Sequence, residues 1–245
     1  MGKLTVAAVF AVVLAVAGCS DSSGPSDTDG TEPPDIPGLV AFYHFGQNLD
    51  DASGNGHDGT GTAGISYVMD HNGVPSSAVY IRGRTDTISV ANRGAFDFVG
   101  AFTVAGWIRA DLEHFGYCCF IDKGYDDGAW SVGTSGSAVP TVQPLRFYVG
   151  SSNNDFVVDD AVPFGQGIWM HFACSFNDTT NVARLYVDGV FALADTHDID
   201  IVATDKDLWI GNSHWGDAFD GAVDQVALFD RVLSDAEVLE LYDFD

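Results

Sequence analysis

The sequence is poor in basic residues, in glutamate and in long apolar runs. Lys and Arg number 10 against 35 Asp and Glu, which gives a formal charge of −25. Nucleic-acid binding is excluded by this balance, because phosphate recognition requires a basic surface. The only apolar run of note covers residues 4–16 and is too short to cross a bilayer as a helix.

The first nineteen residues predict an export signal rather than part of the fold. Lys3 gives a short positive start, and the apolar run follows it. Residues 16–19 (V-A-G-C) then resemble a bacterial lipobox, in which the cysteine becomes the lipidated N-terminus. We predict a lipoprotein signal peptide over 1–18 and lipidation of Cys19, with an ordinary signal peptide and a chance cysteine as the alternative. Ser20 favours the outer membrane or cell surface of a bacterial envelope.

The next segment predicts a tether, and the rest of the chain predicts one domain. Residues 19–37 are rich in Ser, Asp, Gly and Pro and have few apolar side chains, so they cannot offset the entropy of ordering. We therefore predict an acidic disordered tether over 19–37 and a single domain over 38–245, a normal size for an all-β domain.

Three cysteines remain once Cys19 is assigned to a lipid. Cys118 and Cys119 are adjacent and Cys174 is remote. Adjacent residues of a strand point to opposite faces, so one of the pair can meet Cys174 in an oxidising compartment. We predict one disulfide, between Cys119 and Cys174, with Cys118 as the alternative partner.

Many short runs of alternating polarity predict an all-β fold. In residues 182–187, Leu185 and Val187 fall on one face, while Arg184 and Tyr186 fall on the other. The following Asp-Gly at 188–189 is typical of a type I′ hairpin turn. Only the end is helical, because Ser234 and Glu237 form a capping-box pattern. We predict a two-sheet antiparallel jelly-roll sandwich with one short C-terminal helix.

Seven motifs then occur in the order that one known family has them. They are L-V-A-F-Y-H-F with D-A-S-G-N-G at 39–56, F-T-V-A-G-W-I at 102–108, I-D-K-G at 121–124, G-I-W-M-H-F-A at 167–173, L-Y-V-D-G at 185–189, F-D-G-A-V-D-Q-V at 219–226 and L-S-D-A-E at 233–237. Together they resemble the laminin G-like, concanavalin A-like lectin/glucanase jelly rolls of bacterial surface proteins. This fold hosts lectins, adhesins and hydrolases alike.

The resemblance also implies a structural calcium ion. In such jelly rolls, an acid on the last strand meets the N-terminal loop around the ion, and Asp224 holds that position here. The loop at 50–58 is dense in oxygen ligands of the kind that calcium prefers. We predict Asp51, Asn55 and Asp224 as ligands. The alternative is that these side chains form Asx-turns without metal.

Two loops combine aromatic rings with hydrogen-bonding groups, as sugar-binding sites do. One carries Tyr125, Asp127 and Trp130, and the other carries His214, Trp215 and Asp217. Ring stacking and planar polar acceptors together suit a carbohydrate. Packing of the tryptophans over the rim of the sandwich is the alternative.

Catalytic motifs are missing from the sequence. Glycosidases use two carboxyl groups a few ångströms apart, and laminarinase-type relatives carry E-x-D-x-(x)-E on one strand. This chain has four glutamates and none in that pattern (Glu32, Glu113, Glu237 and Glu240). His171 lies on an apolar strand, and we expect it to be structural.

We therefore expect a non-catalytic, lipid-anchored surface module that binds a glycan or a surface protein. It would contact the membrane through its N-terminal lipid alone. One alternative is a structural or assembly lipoprotein that makes protein contacts through the sandwich. The other is an atypical glycoside hydrolase that uses Asp198 and Asp200, which would face the same way on a strand, or another pair of aspartates.

Overall fold

The structure is a computed structural model that describes residues 32–111, 117–134, 144–151, 154–163, 165–196 and 198–244. The predicted signal peptide, Cys19 and residues 19–31 of the predicted tether lie outside these ranges, as does Glu113. Within the described residues, no helix is long and apolar enough to cross a membrane.

The described strands form two antiparallel sheets that face each other. The eight-stranded sheet contains β1 (Leu39–Tyr43), β3 (Ser66–Val68), β4 (Ala78–Ile81), β6 (Ala101–Ala110), β11 (Met170–Asn177), β12 (Val182–Val187), β13 (Val190–Thr196) and β15 (Gly221–Phe229). The seven-stranded sheet contains β2 (Gly59–Gly61), β5 (Ile88–Val90), β7 (Cys118–Asp122), β8 (Trp130–Thr134), β9 (Pro144–Ser151), β10 (Asn154–Pro163) and β14 (Leu208–Ile210). The predicted jelly-roll sandwich is confirmed.

The order of strands places distant segments side by side. In the first sheet the order is β13-β12-β11-β6-β15-β4-β3, and β1 also pairs with β15. In the second sheet the order is β10-β9-β8-β7-β14-β5-β2. Since β14 lies between β7 and β5, the loop that follows β14 is brought next to β7 and β8.

The predicted hairpin between β12 and β13 is present. Asp188 and Gly189 have φ angles of 48° and 73°, as a type I′ turn requires. Leu185 is fully buried between the sheets, and Tyr186 is fully buried on the opposite face of β12. The alternation in residues 182–187 therefore identified both faces correctly.

A second, smaller core lies on the outside of the eight-stranded sheet. The helix α1 (Asp235–Tyr242) begins at Ser234 with the predicted capping box, in which Ser234 and Glu237 each bond the other's backbone N–H. Val238 and Leu241 of the helix are buried in this core. Ile36 is buried there too, so packing extends ahead of the predicted domain start at Gly38.

The predicted disulfide is absent, because Cys118, Cys119 and Cys174 are all free. Cys174 is fully buried on the inner face of β11. The Sγ of Cys119 instead donates to the carbonyl oxygens of Ile121 at 3.3 Å and Val132 at 3.5 Å, within its own sheet. The two sulfurs therefore belong to different environments, and the predicted Cys119–Cys174 bridge is wrong.

Asp198 and Asp200 do not lie on a strand, since residues 198–207 have no regular secondary structure. The Oδ1 of Asp198 accepts a hydrogen bond from the side-chain amide of Asn181 at 3.1 Å. The expectation that the two carboxylates share one face of a strand is therefore wrong.

Candidate functional site

A cavity of about 270 Å³ opens on the outer face of the seven-stranded sheet, and we call it the sheet-face cavity. Its volume is just below the roughly 300 Å³ at which small-molecule sites usually begin. Strands β7, β8 and β9 form its floor, and the segments around 125 and 215 form its walls. Its described lining residues are Tyr117, Cys118, Cys119, Asp122, Tyr125, Asp126, Ser131, Gly133, Thr134, Arg146, Tyr148, Ser213, Trp215 and Asp217.

Strand alternation explains which side chains reach the floor. In β8, Trp130 and Val132 point into the core and are fully buried, so Ser131 and Gly133 point outward. In β9, Phe147 and Val149 point inward in the same way. Arg146 and Tyr148 therefore stand on the outer face beside Ser131 and Gly133, to which they are paired in the sheet.

The two cysteines that line the cavity are neutral thiols. Burial raises the pKa of Cys118 to about 12 and the pKa of Cys119 well above its usual value. The Sγ of Cys118 lies 3.0 Å from the Oγ1 of Thr134. A thiolate, not a thiol, is the usual nucleophile, so the raised pKa values disfavour attack by either cysteine.

Asp122 joins the two walls of the cavity. Its side chain is buried, and its Oδ1 accepts hydrogen bonds from the backbone N–H groups of Gly124 and Tyr125, both at 3.3 Å. Its Oδ2 accepts from the backbone N–H of His214 at 3.0 Å and lies 2.6 Å from the Nδ1 of His214. The His214 ring in turn stacks on Trp209 of β14, with centroids 4.1 Å apart. One carboxylate thus holds both loops in place.

Aromatic rings cover the floor beside the first wall. The rings of Tyr125 and Tyr148 have centroids 4.7 Å apart. The guanidinium of Arg146 lies 5.2 Å from the ring of Tyr148 and 5.8 Å from the ring of Tyr117. Its Nη1 also donates to the hydroxyl of Tyr148 at 3.0 Å. These contacts fix the positions of three tyrosine rings, and Tyr117 is 58% exposed.

The second wall is a tight loop that presents Trp215 and Asp217. The Oγ of Ser213 accepts from the backbone N–H of Trp215 at 3.2 Å and of Asp217 at 3.1 Å. The backbone oxygen of Asp217 accepts from Cys119 at 2.8 Å, which fastens the loop to β7. Trp215 is 72% exposed, a large fraction for an indole. Burial, and the nearby charge of Asp122, raise the pKa of Asp217.

The structure brings the two predicted ligand loops together. Tyr125, Trp215 and Asp217 line the same cavity, although the loops are about 90 residues apart in sequence. The prediction that Trp130 contacts the ligand is wrong, because its side chain is fully buried and packs against Phe102, with ring centroids 5.3 Å apart. It is the first residue of β8, and alternation along that strand places it on the core side together with Val132.

The remaining two predicted residues stand outside the lining. The Oδ2 of Asp127 lies 3.3 Å from the Nζ of Lys206. His214 supports the site from behind through its contacts with Asp122 and Trp209. Both therefore help to position the walls, and neither lines the cavity.

Several lining residues were missed by the sequence analysis. Arg146 and Tyr148 could have been found, because L-R-F-Y-V at 145–149 alternates and its apolar members must point inward. Asp122 carries no such signal. Its importance depends on a hydrogen bond to a residue 92 positions away.

The predicted calcium ligands do not form one ligand set in the structure. The carboxylate of Asp51 accepts from the backbone N–H groups of Phe42, Ser53 and His57, each at 3.0 Å. The side-chain nitrogen of Asn55 donates to the carbonyl oxygens of residues 39 and 40. Among these contacts, the bond from the N–H of Ser53 forms an Asx-turn, and the others join the loop to residues 39–42 and 57. Within the described part of the chain, no group of three or more His, Cys, Asp and Glu is arranged to hold a metal ion.

Asp224 belongs to a different network from Asp51. Its Oδ2 lies 2.7 Å from the Nδ1 of His71, and both side chains are at least 95% buried. The ring of His71 stacks on Trp107 with centroids 4.1 Å apart, and His171 packs against the same indole at 5.3 Å. This cluster of rings lies on the outer face of the eight-stranded sheet, on the opposite side of the molecule from the sheet-face cavity.

Comparison with known families identifies a match over most of the domain. The family model Laminin_G_3, described as the concanavalin A-like lectin/glucanases superfamily, matches residues 82–239. That range contains every described residue that lines the sheet-face cavity. No curated protein matches the chain.

Solved structures show the same fold at low sequence identity. Domain 4 of AbnA, an extracellular arabinanase from Geobacillus stearothermophilus solved with arabinotriose, is 20% identical with a TM-score of 0.66, over 83% of this chain and 98% of that one. The binding domain of Paraclostridial Mosquitocidal Protein 1 is 16% identical with a TM-score of 0.68, over 84% and 52%.

A third similar structure belongs to a botulinum neurotoxin. It comes from a study of cell entry by botulinum neurotoxin type C, dependent on two ganglioside molecules, and is 12% identical with a TM-score of 0.66, over 84% of this chain and 51% of that one. The chain spans about half the length of the toxin domains that it matches.

Proposed function

This chain belongs to the concanavalin A-like lectin/glucanases superfamily, and from that premise we propose that it is a non-catalytic binding module whose sheet-face cavity recognises carbohydrate. One observation carries the proposal. Two loops distant in sequence meet around a single cavity, and each contributes an aromatic ring and a carboxylate to its lining, the rings being Tyr125 and Trp215.

The chemistry of the lining suits a sugar. A sugar ring has an apolar face that stacks on an aromatic side chain and hydroxyl groups that need hydrogen-bond acceptors. Trp215 offers the exposed ring, and the carboxylates of Asp126 and Asp217 offer acceptors. The bonds of Asp122 to both walls fix the loops before a ligand arrives, which lowers the entropic cost of binding.

The similar structures support a binding role. Domain 4 of the arabinanase was solved with arabinotriose, and another similar structure is the botulinum neurotoxin DC binding domain solved with SialylT. The same toxin domain was also solved with rat synaptotagmin II. A surface protein is therefore the second candidate ligand, and a structural or assembly role through protein contacts is the alternative function.

The experiment is a glycan array with the whole chain, followed by titration of each bound glycan. Trp215→Ala should weaken binding at least tenfold, because the variant loses the stacking surface. Phe191→Ala is the matched control, since Phe191 is 47% exposed on the other sheet. If no glycan binds the natural chain, or if both variants bind as it does, the carbohydrate proposal fails.

Hydrolysis is a second candidate activity because Asp217 and Asp122 lie close enough for their charges to interact. A carboxyl group with a raised pKa beside an ionised one is the usual arrangement of a glycosidase. However, both oxygens of Asp122 are already occupied by donors from the two loops. We therefore assign Asp122 a positioning role. Release of reducing sugar that disappears in Asp217→Asn would establish the enzyme instead.

We further propose that the protein is anchored to a bacterial envelope by a lipid on Cys19, at the outer membrane or cell surface. The lipobox-like residues before Cys19 support this proposal. Cys19→Ser should move the protein from the membrane fraction to the soluble fraction. Unchanged membrane association of that variant would contradict the anchor.

A structural calcium ion also remains a prediction, although Asp51, Asn55 and Asp224 do not fit one ligand set as they stand. For calcium to bind there, the Asp51 carboxylate would have to give up its hydrogen bonds from backbone N–H groups, and the Asp224 carboxylate would have to give up its contact with His71. Calorimetric titration of the metal-free chain with calcium tests it directly, and absence of binding would remove the ion from the account.

A further inference from the structure

We propose that the sheet-face cavity selects neutral sugars and rejects sugars that carry a carboxylate or a sulfate. This inference rests on the proposed carbohydrate function and names its ligand class. The described lining residues include three aspartates and one arginine (Asp122, Asp126, Asp217 and Arg146). The cavity is therefore negative, in a chain whose net charge is −25.

The arrangement of Asp217 makes this charge effective at the binding surface. Its backbone N–H and C=O are both used to hold the loop, bonding Ser213 and Cys119. Asp217 and the exposed ring of Trp215, two residues apart in one tight loop, both line the cavity. A sugar stacked on that ring would bring any anionic substituent close to Asp217. Neutral hydroxyl groups in the same position would instead donate hydrogen bonds to the carboxylate.

The arginine of the floor does not reverse this preference. The guanidinium of Arg146 lies over the rings of Tyr117 and Tyr148 and donates to the Tyr148 hydroxyl. Its charge is engaged with the rings of the floor, and it is one positive charge against the three carboxylates of the lining. Asp122 adds negative charge between the walls, and burial together with that charge raises the pKa of Asp217, although the charge of Arg84 partly opposes the effect.

The test uses matched pairs of oligosaccharides that differ in one group. Each neutral oligosaccharide on the array is paired with an acidic derivative of the same oligosaccharide, in which one C6 hydroxymethyl group is oxidised to a carboxylate. The natural chain should bind the neutral member about tenfold or more tightly at low salt, the effect expected of like charges a few ångströms apart. In 1 M salt, where the Debye length is roughly 3 Å, the difference should shrink, because the acidic member gains affinity.

Asp217→Asn separates charge from shape. The variant keeps the backbone bonds of the loop and the size of the side chain, so it should bind the acidic member more tightly than the natural chain does. Trp215→Ala should weaken both members equally and leave their ratio unchanged.

The outcomes distinguish this inference from the function on which it rests. Equal or tighter binding of acidic members by the natural chain, or a ratio that Asp217→Asn leaves unchanged, would overturn the inference and leave carbohydrate binding intact. Failure of every member to bind would overturn the proposed function, and the inference with it.

Discussion

Acidification should destabilise this protein through His171, which is 1% exposed on β11. Its ring packs between Trp107 and Tyr242, with centroid distances of 5.3 Å and 5.9 Å. Burial, and repulsion from His71, lower the pKa of His171 from 6.5 to about 3. The Nδ1 of His171 has no hydrogen-bond partner among the described residues, so no carboxylate is in place to stabilise a charged ring.

The sign and size of the effect follow from proton linkage. Between pH 6.5 and about 3, the unfolded chain binds a proton at His171 and the folded chain does not. Stability from this residue is therefore fully present above pH 6.5 and falls as the pH decreases through that window. The loss is about 1.4 kcal/mol per pH unit inside the window, or roughly 2–3 kcal/mol between pH 7.5 and pH 4.5.

The assay is urea unfolding followed by tryptophan fluorescence at pH 7.5, 6.5, 5.5 and 4.5. Many aspartates also titrate in this range, so the informative quantity is the difference in unfolding free energy between the natural chain and His171→Phe. Phenylalanine keeps a ring in the site and removes the unpaired Nδ1, which favours folding of the variant. The difference should shift by roughly 2–3 kcal/mol in favour of the variant between pH 7.5 and pH 4.5.

A difference that stays constant to within a few tenths of a kcal/mol from pH 7.5 to pH 4.5 would refute the reasoning. The slope of the transition against urea must be the same for both proteins, since a changed slope indicates a changed unfolded state. His171→Gln provides a second neutral side chain, and its pH dependence should match that of the phenylalanine variant.

Two further predictions concern the sheet that carries His171. Asp224→Asn should lower the unfolding free energy by about 1–3 kcal/mol because it disturbs the contact between the Asp224 carboxylate and the Nδ1 of the buried His71. Equal losses in calcium and in EDTA would assign the effect to the His71 contact alone, and a larger loss in calcium would support the predicted metal site. Gly189→Ala should cost about 1–2 kcal/mol, because φ is +73° and the new Cβ would lie 2.9 Å from Tyr242. Gly54→Ala is its control, with φ at +82° and nothing within 4 Å, so thermal melts should show a smaller loss there.

The sequence predicted correctly those features of the fold that depend on residues close together in the chain. The Asp188-Gly189 turn and the capping box at Ser234 each require particular residues within a few positions, and both are present. By contrast, the Cys119–Cys174 disulfide depended on how two sheets face each other. Alternation shows which residues share a face of a strand, but not which face meets the other sheet. In the structure Cys174 faces the core, whereas the sulfur of Cys119 bonds within its own sheet, so the bridge does not form.

The candidate site was half predictable for a related reason. Trp130 and Trp215 look alike in sequence, since each is an aromatic residue in a glycine-containing loop beside aspartates. Trp130 is the first residue of a strand whose parity sends it into the core, while Trp215 stands in a turn held by Ser213 and remains 72% exposed. An aromatic ring on a strand is therefore buried or exposed according to its odd or even position along that strand. The exposure of a ring in a turn depends on the hydrogen bonds that shape its loop.

The joining of the two loops into one site also depends on contacts between segments that are distant in sequence. Neither loop contains a residue that specifies the other, because the link is the carboxylate of Asp122, which lies at the end of β7 and bonds His214. The interposition of β14 between β7 and β5 brings these residues together. Asp122→Asn would replace one acceptor oxygen by a donor facing the N–H groups of one loop. It should therefore weaken ligand binding without contacting the ligand, and a variant that binds normally would show that the loops hold their positions without Asp122.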